Sequence, residues 1–404
     1  MGASGHSLVA ILSLISFIFA YELLVINDVH YSPYYKEKSS SSSYCEKEVP
    51  SAAVATFGRY NCDAPMSLIS ASLDVIVDEV PNPFMLLIGG DLAGHTAVSW
   101  EQTLQSITDV TNEITKRYPH AYGIPVIGND DGFPDYHITP SILADLASAW
   151  SKWLMPSEQE TFKVGGYYKR EVSSSLHIIV INTLVVISRY NQGDMTAKQF
   201  AWLESEVAKS SAAGASLVLV GHIPPGVNGF DQVDPWTAAD FKRFSEIVKK
   251  HEESFTGMYF FHEHADLHRV FGSIPMFISP SITPTFGNNP SFRTIEWDHE
   301  GNLVDLTQYY SDLMHANYAG KVEYSIEYKM SELYGRYMDG GKATAKTIKA
   351  IQQAIFDDGE YWADYFGRSM TENAASGRAA YGCAMVVGSN EEYASCLSKY
   401  PWKN

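Results

Sequence analysis

Five short apolar runs in this 404-residue chain each end in a residue able to hold a metal ion. Leu23, Leu24, Val25, Ile26 and Asn27 run into Asp28 and His30, and Leu86 to Gly90 runs into Asp91. Pro125 to Gly128 runs into Asn129, Leu217 to Gly221 into His222, and Met258 to Phe261 into His262 and His264. Imidazole, carboxylate and carboxamide together favour borderline divalent ions such as zinc, manganese or iron over calcium or magnesium. Two such ions, ~3.5–4 Å apart, can clamp the attacking and leaving oxygens of a phosphoester displacement. One carboxylate must then bridge them, and a shared hydroxide supplies the nucleophile. A lone Asp-x-His pair would be read as structural; five ordered strand-end matches resist that explanation.

The elements that must position these residues follow from the same runs. Strands are expected over Glu22–Ile26, Phe84–Ile88, Ile124–Ile127, Leu176–Ile181, Ser216–Val220 and Met258–Phe261. Shorter strand signals lie at Met276–Ile278, Arg293–Trp297 and Leu303–Leu306. If the last metal-binding segment continues as a strand, His262 and His264 point to one side together. Between the strands, Ser99 to Gln102 and Thr196 to Gln199 read as capping boxes, and Thr139-Pro140 as an N-cap with its first helical residue. Alternation of this kind means an α/β protein with helices on the sheet faces. Open α/β sheets collect ligands at the C-terminal strand edge, where all of these residues fall. Glycine just before three of them lets the backbone turn sharply. After Ser311 the strand signals fade, and Tyr324–Tyr337 and Lys342–Phe356 look helical. Three parts are expected: a leader over 1–20, a catalytic domain over 21–310 and a helical C-terminal region over 311–404.

Composition narrows the partners. There are 47 acidic and 29 basic residues, a formal net charge of −18, which disfavours nucleic-acid polymers as ligands. A small anionic substrate is still admitted, because bound cations would outweigh the distant field. The apolar run Leu8 to Ala20 is too short for a comfortable membrane span and fits a signal-peptide core, despite lacking Lys or Arg before it. Cys45, Cys62, Cys383 and Cys396 fit an oxidising compartment. Three pairings are possible; the near-neighbour choice closes two short loops worth about 3 kcal/mol each. No permissive N-glycosylation sequon is present. A soluble monomer, secreted or in a lysosome- or vacuole-like lumen, is expected, with no membrane partner after removal of the leader.

The motifs also carry a resemblance. Asp28-Val-His30, Gly90-Asp91-x-x-x-His95, Gly128-Asn129, Gly221-His222-Ile-Pro-Pro-Gly226 and His262-x-His264 resemble the acid sphingomyelinase-like branch of the calcineurin-like metallophosphoesterases. Gly58 to Pro65, Phe162 to Tyr168, and Ser279 to Pro284 with Asn289-Pro290 support it outside the metal residues. The resemblance implies a four-layer α-β-β-α sandwich of two mixed sheets. It implies one metal, most simply Zn2+ with Mn2+ or Fe as alternatives, held by Asp28, His30 and His264. A second would be held by Asn129, His222 and His262, with Asp91 bridging both. His95 would face the phosphate or leaving group as proton donor, a task suited to an imidazole between acid and neutral pH.

One departure stands out. The family pattern has Gly-Asn-His followed by Asp or Glu where this chain has Gly128, Asn129, Asp130 and Asp131. A carboxylate beside two cations stays ionised and repels a phosphate, so Asp130 is a poor replacement for the imidazole. It can instead orient His95 or bind metal. The related endopolyphosphatases also lack that histidine. Sphingomyelinases of the family carry an N-terminal saposin-like domain, for which few residues are available before the first strand here. Soluble phosphodiesters or nucleotides are therefore the expected substrates. Endopolyphosphatase, sphingomyelin phosphodiesterase and a metal-binding pseudoenzyme are the alternatives. Among other histidines, His137 follows the Asn129 loop and is a candidate for substrate contact, whereas His177, His251 and His299 read as structural or solvated.

Overall fold

In a computed structural model, residues 21–187, 189, 192, 194–369 and 377–400 are described; the expected leader lies outside them. Twelve strands are found among the described residues: β1 (Tyr21–Ile26), β2 (Met85–Ile88), β3 (Tyr122–Pro125), β4 (Tyr168–Ser173), β5 (Leu176–Val180) and β6 (Ser216–Val220). They continue as β7 (Phe255–Phe260), β8 (Leu267–Phe271), β9 (Ile274–Ile278), β10 (Ser291–Trp297), β11 (Leu303–Tyr310) and β12 (Ser325–Lys329). They form two six-stranded sheets, ordered β12-β11-β10-β1-β2-β3 and β4-β5-β6-β7-β9-β8. Both are mixed. β1, β2 and β3 run parallel, and β10 joins β1 antiparallel, with Tyr21 opposite Trp297. In the second sheet β5, β6, β7 and β9 run parallel, flanked by antiparallel β4 and β8.

Three of the parallel strands, Met85–Ile88, Leu176–Val180 and Ile274–Ile278, are buried along their whole length. Such continuous apolar runs require cover on both faces. Two polar links join the sheets across that core. The Trp297 indole N–H donates to the Tyr259 hydroxyl at 2.6 Å, and the Tyr168 hydroxyl donates to the Pro125 carbonyl at 2.9 Å. Helices cover the outer faces, including Met66–Glu79 packed on Trp100–Arg117, and Met195–Ala212 packed on β6. The helices start where hydroxyls can cap them. Ser99 and Thr139 each accept from the backbone N–H three residues on, but the Gln102 side chain accepts from the Val98 N–H and not from Ser99, so the expected capping box is only half formed. The start at Thr196 is corrected: the helix begins at Met195 with Asp194 as its cap, and the Thr196 hydroxyl donates to the Val185 carbonyl.

The C-terminal reading needs a larger correction. Ser325–Lys329, expected as helix, is β12 and pairs antiparallel with β11, followed by a single helical turn at Met330–Leu333. The expected helix beyond Lys342 does form, over Ala345–Asp357, and packs on β8 and β9. Backbone bonds from Val270 to Met385 and from Val387 to Val270 then close the outer edge of β8. That edge would otherwise be open to pairing with another chain. The disulfides are Cys45–Cys62 and Cys383–Cys396, the near-neighbour pairing. No helix among the described residues is long and apolar enough to cross a membrane.

Candidate metal centre

The parallel strands of both sheets deliver their loops to one place. Asp28 and His30 follow β1, Asp91 follows β2, and Asn129 follows β3. His222 follows β6, and His262 and His264 follow β7. His262 and His264 are not on a strand: β7 stops at Phe260, and both residues have left-handed backbones, at φ 69° and 53°. Their convergence therefore comes from a tight loop and not from strand alternation. Asp28, His30 and Asp91 are left-handed too, at φ 45°, 43° and 51°. Non-glycine residues in this conformation cost free energy and cluster where function demands their placement. The loops also approach unusually closely. A Cβ on Gly128 would collide with the backbone N and carboxylate of Asp91, and Gly90 has φ 95°.

Two triads result. In the first, Nε2 of His30 and Nε2 of His264 lie 3.2 Å apart, and Oδ1 of Asp28 lies 3.4 Å from the His264 nitrogen. In the second, Asp91, His222 and His262 gather. His222 Nε2 is 3.1 Å from Asp91 Oδ2 and 3.2 Å from Asn129 Oδ1. The same Asp91 oxygen is 3.5 Å from His30 Nε2, so it stands between the triads. All seven sequence-predicted ligands thus share one site. The His222 ring is aimed by its other nitrogen, which meets the Gly89 carbonyl at 2.8 Å.

The residues fit a pair of borderline cations. Asp28 Oδ1 and the Nδ1 atoms of His30 and His264 are buried without a hydrogen-bond partner, and the two facing Nε2 atoms are close enough for both lone pairs to reach one cation. Electrostatics point the same way. Burial, aided by the surrounding imidazoles, holds His30 well below its usual range. Burial and the His222 charge bring His262 down to about 4. Both rings are therefore neutral, the form that ligates metals. Burial alone would raise Asp28, yet the His264 and His222 charges and the Asn27 amide hold it at about 2. His222 goes the other way, up to about 10, because Asp91 and Asp28 outweigh its burial; a cation shared with Asp91 would displace that proton.

No known family profile matches the chain. Curated relatives do. Sphingomyelinase phosphodiesterase D of Dictyostelium discoideum is 29% identical over 350 residues, covering 79% of each chain. Acid sphingomyelinase-like phosphodiesterase 3b of Homo sapiens is 29% identical over 77% of this chain and 75% of its own. Human cyclic GMP-AMP phosphodiesterase SMPDL3A is 25% identical over 93% of this chain and 89% of its own. The likeness is to acid sphingomyelinase-like phosphodiesterases. A solved dimetal phosphatase from Danio rerio is similar at 12% identity and a TM-score of 0.49, over 71% of this chain and 95% of that one.

The site differs from the pattern of the acid sphingomyelinase-like branch at Asp130. Its Oδ2 lies 3.7 Å from His30 Nδ1 and 3.6 Å from His95 Nε2, beside the edges of two rings stacked 4.2 Å apart. Burial and the Asp91 charge push its carboxyl well above the usual range. Two further carboxylates had no role assigned from sequence. Asp63 accepts from the His95 backbone N–H and meets its ring Nδ1, both at 2.7 Å. Asp131 accepts from the backbone of Asp91, Leu92 and Gly128, all at 2.9 Å, and so clips the Asp91 loop to the Asn129 loop. Asp63 lies inside the Gly58–Pro65 motif, which marked the segment but not its purpose. In the same loop as His137, the Tyr136 ring approaches the His262 ring at 6.5 Å. His177, as expected, is structural: its Nδ1 meets the Ser210 hydroxyl at 2.9 Å.

Proposed function

We propose that this chain is a secreted or luminal, metal-dependent phosphoester hydrolase acting on soluble phosphodiesters or nucleotides. The observation that carries the reading is one Asp91 oxygen that lies 3.1 Å from His222 in its own triad and 3.5 Å from His30 in the other. Asp28, His30 and His264 would hold one divalent ion and Asn129, His222 and His262 the other, with Asp91 shared. Such a pair, when bound, neutralises phosphate charge and lowers the pKa of a water that can attack phosphorus. The chain's own residues supply the rest. Asp131 and Gly128 fix the Asp91 loop, so the shared carboxylate is placed before substrate arrives. His95 is held protonated by Asp63 and donates that proton to the departing ester oxygen as its bond to phosphorus breaks. Asp130, beside His95 Nε2, steers the ring toward the phosphate. Two disulfides and the apolar leader run support an oxidising compartment.

The test is a phosphoester panel with zinc- or manganese-loaded protein between acid and neutral pH. Release from bis-p-nitrophenyl phosphate or a nucleotide is expected, and Asp91→Asn should abolish it. No product from any member of the panel would end this reading. A second reading, a metal-binding protein that has lost catalysis, is favoured by the Asp130 carboxylate facing the substrate side of His95. Asp130→His decides between them: activity appearing only in that variant would make the natural chain a pseudoenzyme.

A further inference from the structure

Phe286 is 62% exposed, and its backbone sits at φ 65°. A bulky residue in that conformation is strained, so something must hold it there. The surrounding loop does so. The Asn61 N–H donates to the Pro284 carbonyl at 3.0 Å, and the Asn288 amide donates to the His264 carbonyl at 2.8 Å. The Thr285 hydroxyl donates to Asp63 Oδ1 at 3.1 Å, and Asp63 is the carboxylate that fixes His95. The aromatic ring is therefore registered to the same pair of residues that would deliver the proton. Its centroid lies 5.0 Å from the His264 ring and 5.9 Å from the His95 ring, both edge-on. Those contacts leave much of the ring open to solvent.

Core packing does not explain this placement, because an exposed ring contributes little buried area. Tyr136, on the His262 side of the centre, is less open: the Arg189 guanidinium lies over one face of its ring at 4.7 Å. We propose that Phe286 is a stacking platform for a flat aromatic leaving group, such as a nucleobase or a phenyl ring, on the His95 side of the metal centre. The inference rests on the proposed hydrolase and on His95 as its proton donor. A π-face tolerates every base, so the platform selects planar over aliphatic leaving groups without discriminating among bases.

The experiment compares full-length, zinc-loaded wild type with Phe286→Ala, Phe286→Leu and Phe286→Trp. Turnover is measured on bis-p-nitrophenyl phosphate and on the aliphatic diester glycerophosphocholine. Calorimetry measures the affinity for AMP against ribose 5-phosphate. Phe286→Ala and Phe286→Leu should weaken AMP and raise KM for the aromatic diester about tenfold, the scale of one lost stacking contact. The aliphatic diester and ribose 5-phosphate should change by less than about twofold, and Phe286→Trp should retain the aromatic preference. An equal loss on both diesters, or an unchanged AMP to ribose 5-phosphate affinity ratio in Phe286→Leu, overturns the platform. If no phosphoester is turned over, the hydrolase reading fails while the calorimetric ratio still decides the platform.

Discussion

His95 owes both its position and its proton to one neighbour. Burial alone would lower its pKa, but the hydrogen bond and charge of Asp63, helped by Asp130 and Asp91, bring it up to about 10. Bound cations would push it back down, so Asp63 is what keeps the ring a ready acid near neutral pH. In Asp63→Asn the proton-donor advantage should shrink. For alkyl leaving groups kcat should fall about 100-fold, at the lower end of what general acids contribute. p-Nitrophenolate departs without a proton and should change far less. Plotting log kcat against leaving-group pKa measures this, and a uniform drop across the series would make Asp63 merely structural. The candidate metal ligands were legible because Asp, Asn and His at the ends of apolar runs announce themselves. Asp63 was not, because its partner lies 32 residues away and only the fold joins them. The left-handed backbones of Asp28, His30, Asp91, His262 and His264 were equally hidden, since such conformations are imposed by loop closure and not by residue type.

Strands buried on both faces were readable, and so were β10 and β11 despite their mixed faces, whereas β4, β8 and β12 were not. β4 reads Tyr-Lys-Arg-Glu-Val-Ser, the composition of a sheet edge, and its Arg170 is nonetheless buried in an ion pair with Glu158. β8 hides His268 and Arg269, the latter paired with Glu263 at 2.6 Å. β12 buries Tyr328 alone among its five residues, so its alternation is too weak to displace a helical reading. That misread strand carries an unusual carboxyl. Burial, with the Asp266 charge beside it, pushes Glu327 up to about 8. Its folded pKa is thus raised above the unfolded value. Its contribution to stability is fully present below the ordinary carboxylate range and is lost as pH rises toward 8. Glu327→Gln removes that loss. The variant should match wild type near pH 4 and become more stable as pH rises, by roughly 1–2 kcal/mol. Denaturant midpoints across that pH range measure it. A constant offset at every pH would assign the effect to packing.

At the scale of the molecule, two sheets joined face to face bring residues from position 28 to position 264 around one centre, while the surface carries a net charge of −18. The fold tolerates buried carboxylates there only at a cost. Asp130 is driven well above its usual range, and Asp131 is driven up to about 6 by burial and the Asp91 charge. Cations placed between these groups would replace that repulsion with attraction, so binding should be coupled to stability. A ligand that binds only the folded state adds about 2.7 kcal/mol at a hundredfold excess over its Kd. Protein stripped with a chelator should therefore melt several degrees lower than the same protein resupplied with zinc or manganese. The shift should be sharply reduced in Asp28→Asn combined with Asp91→Asn, which leaves each triad short of its carboxylate. Calcium, which prefers all-oxygen sites, should restore little. Differential scanning calorimetry with metal analysis of the same samples makes the comparison. A wild type that gains no stability from zinc or manganese, or a double variant that gains as much, would mean that the convergence of these loops serves packing and not cations.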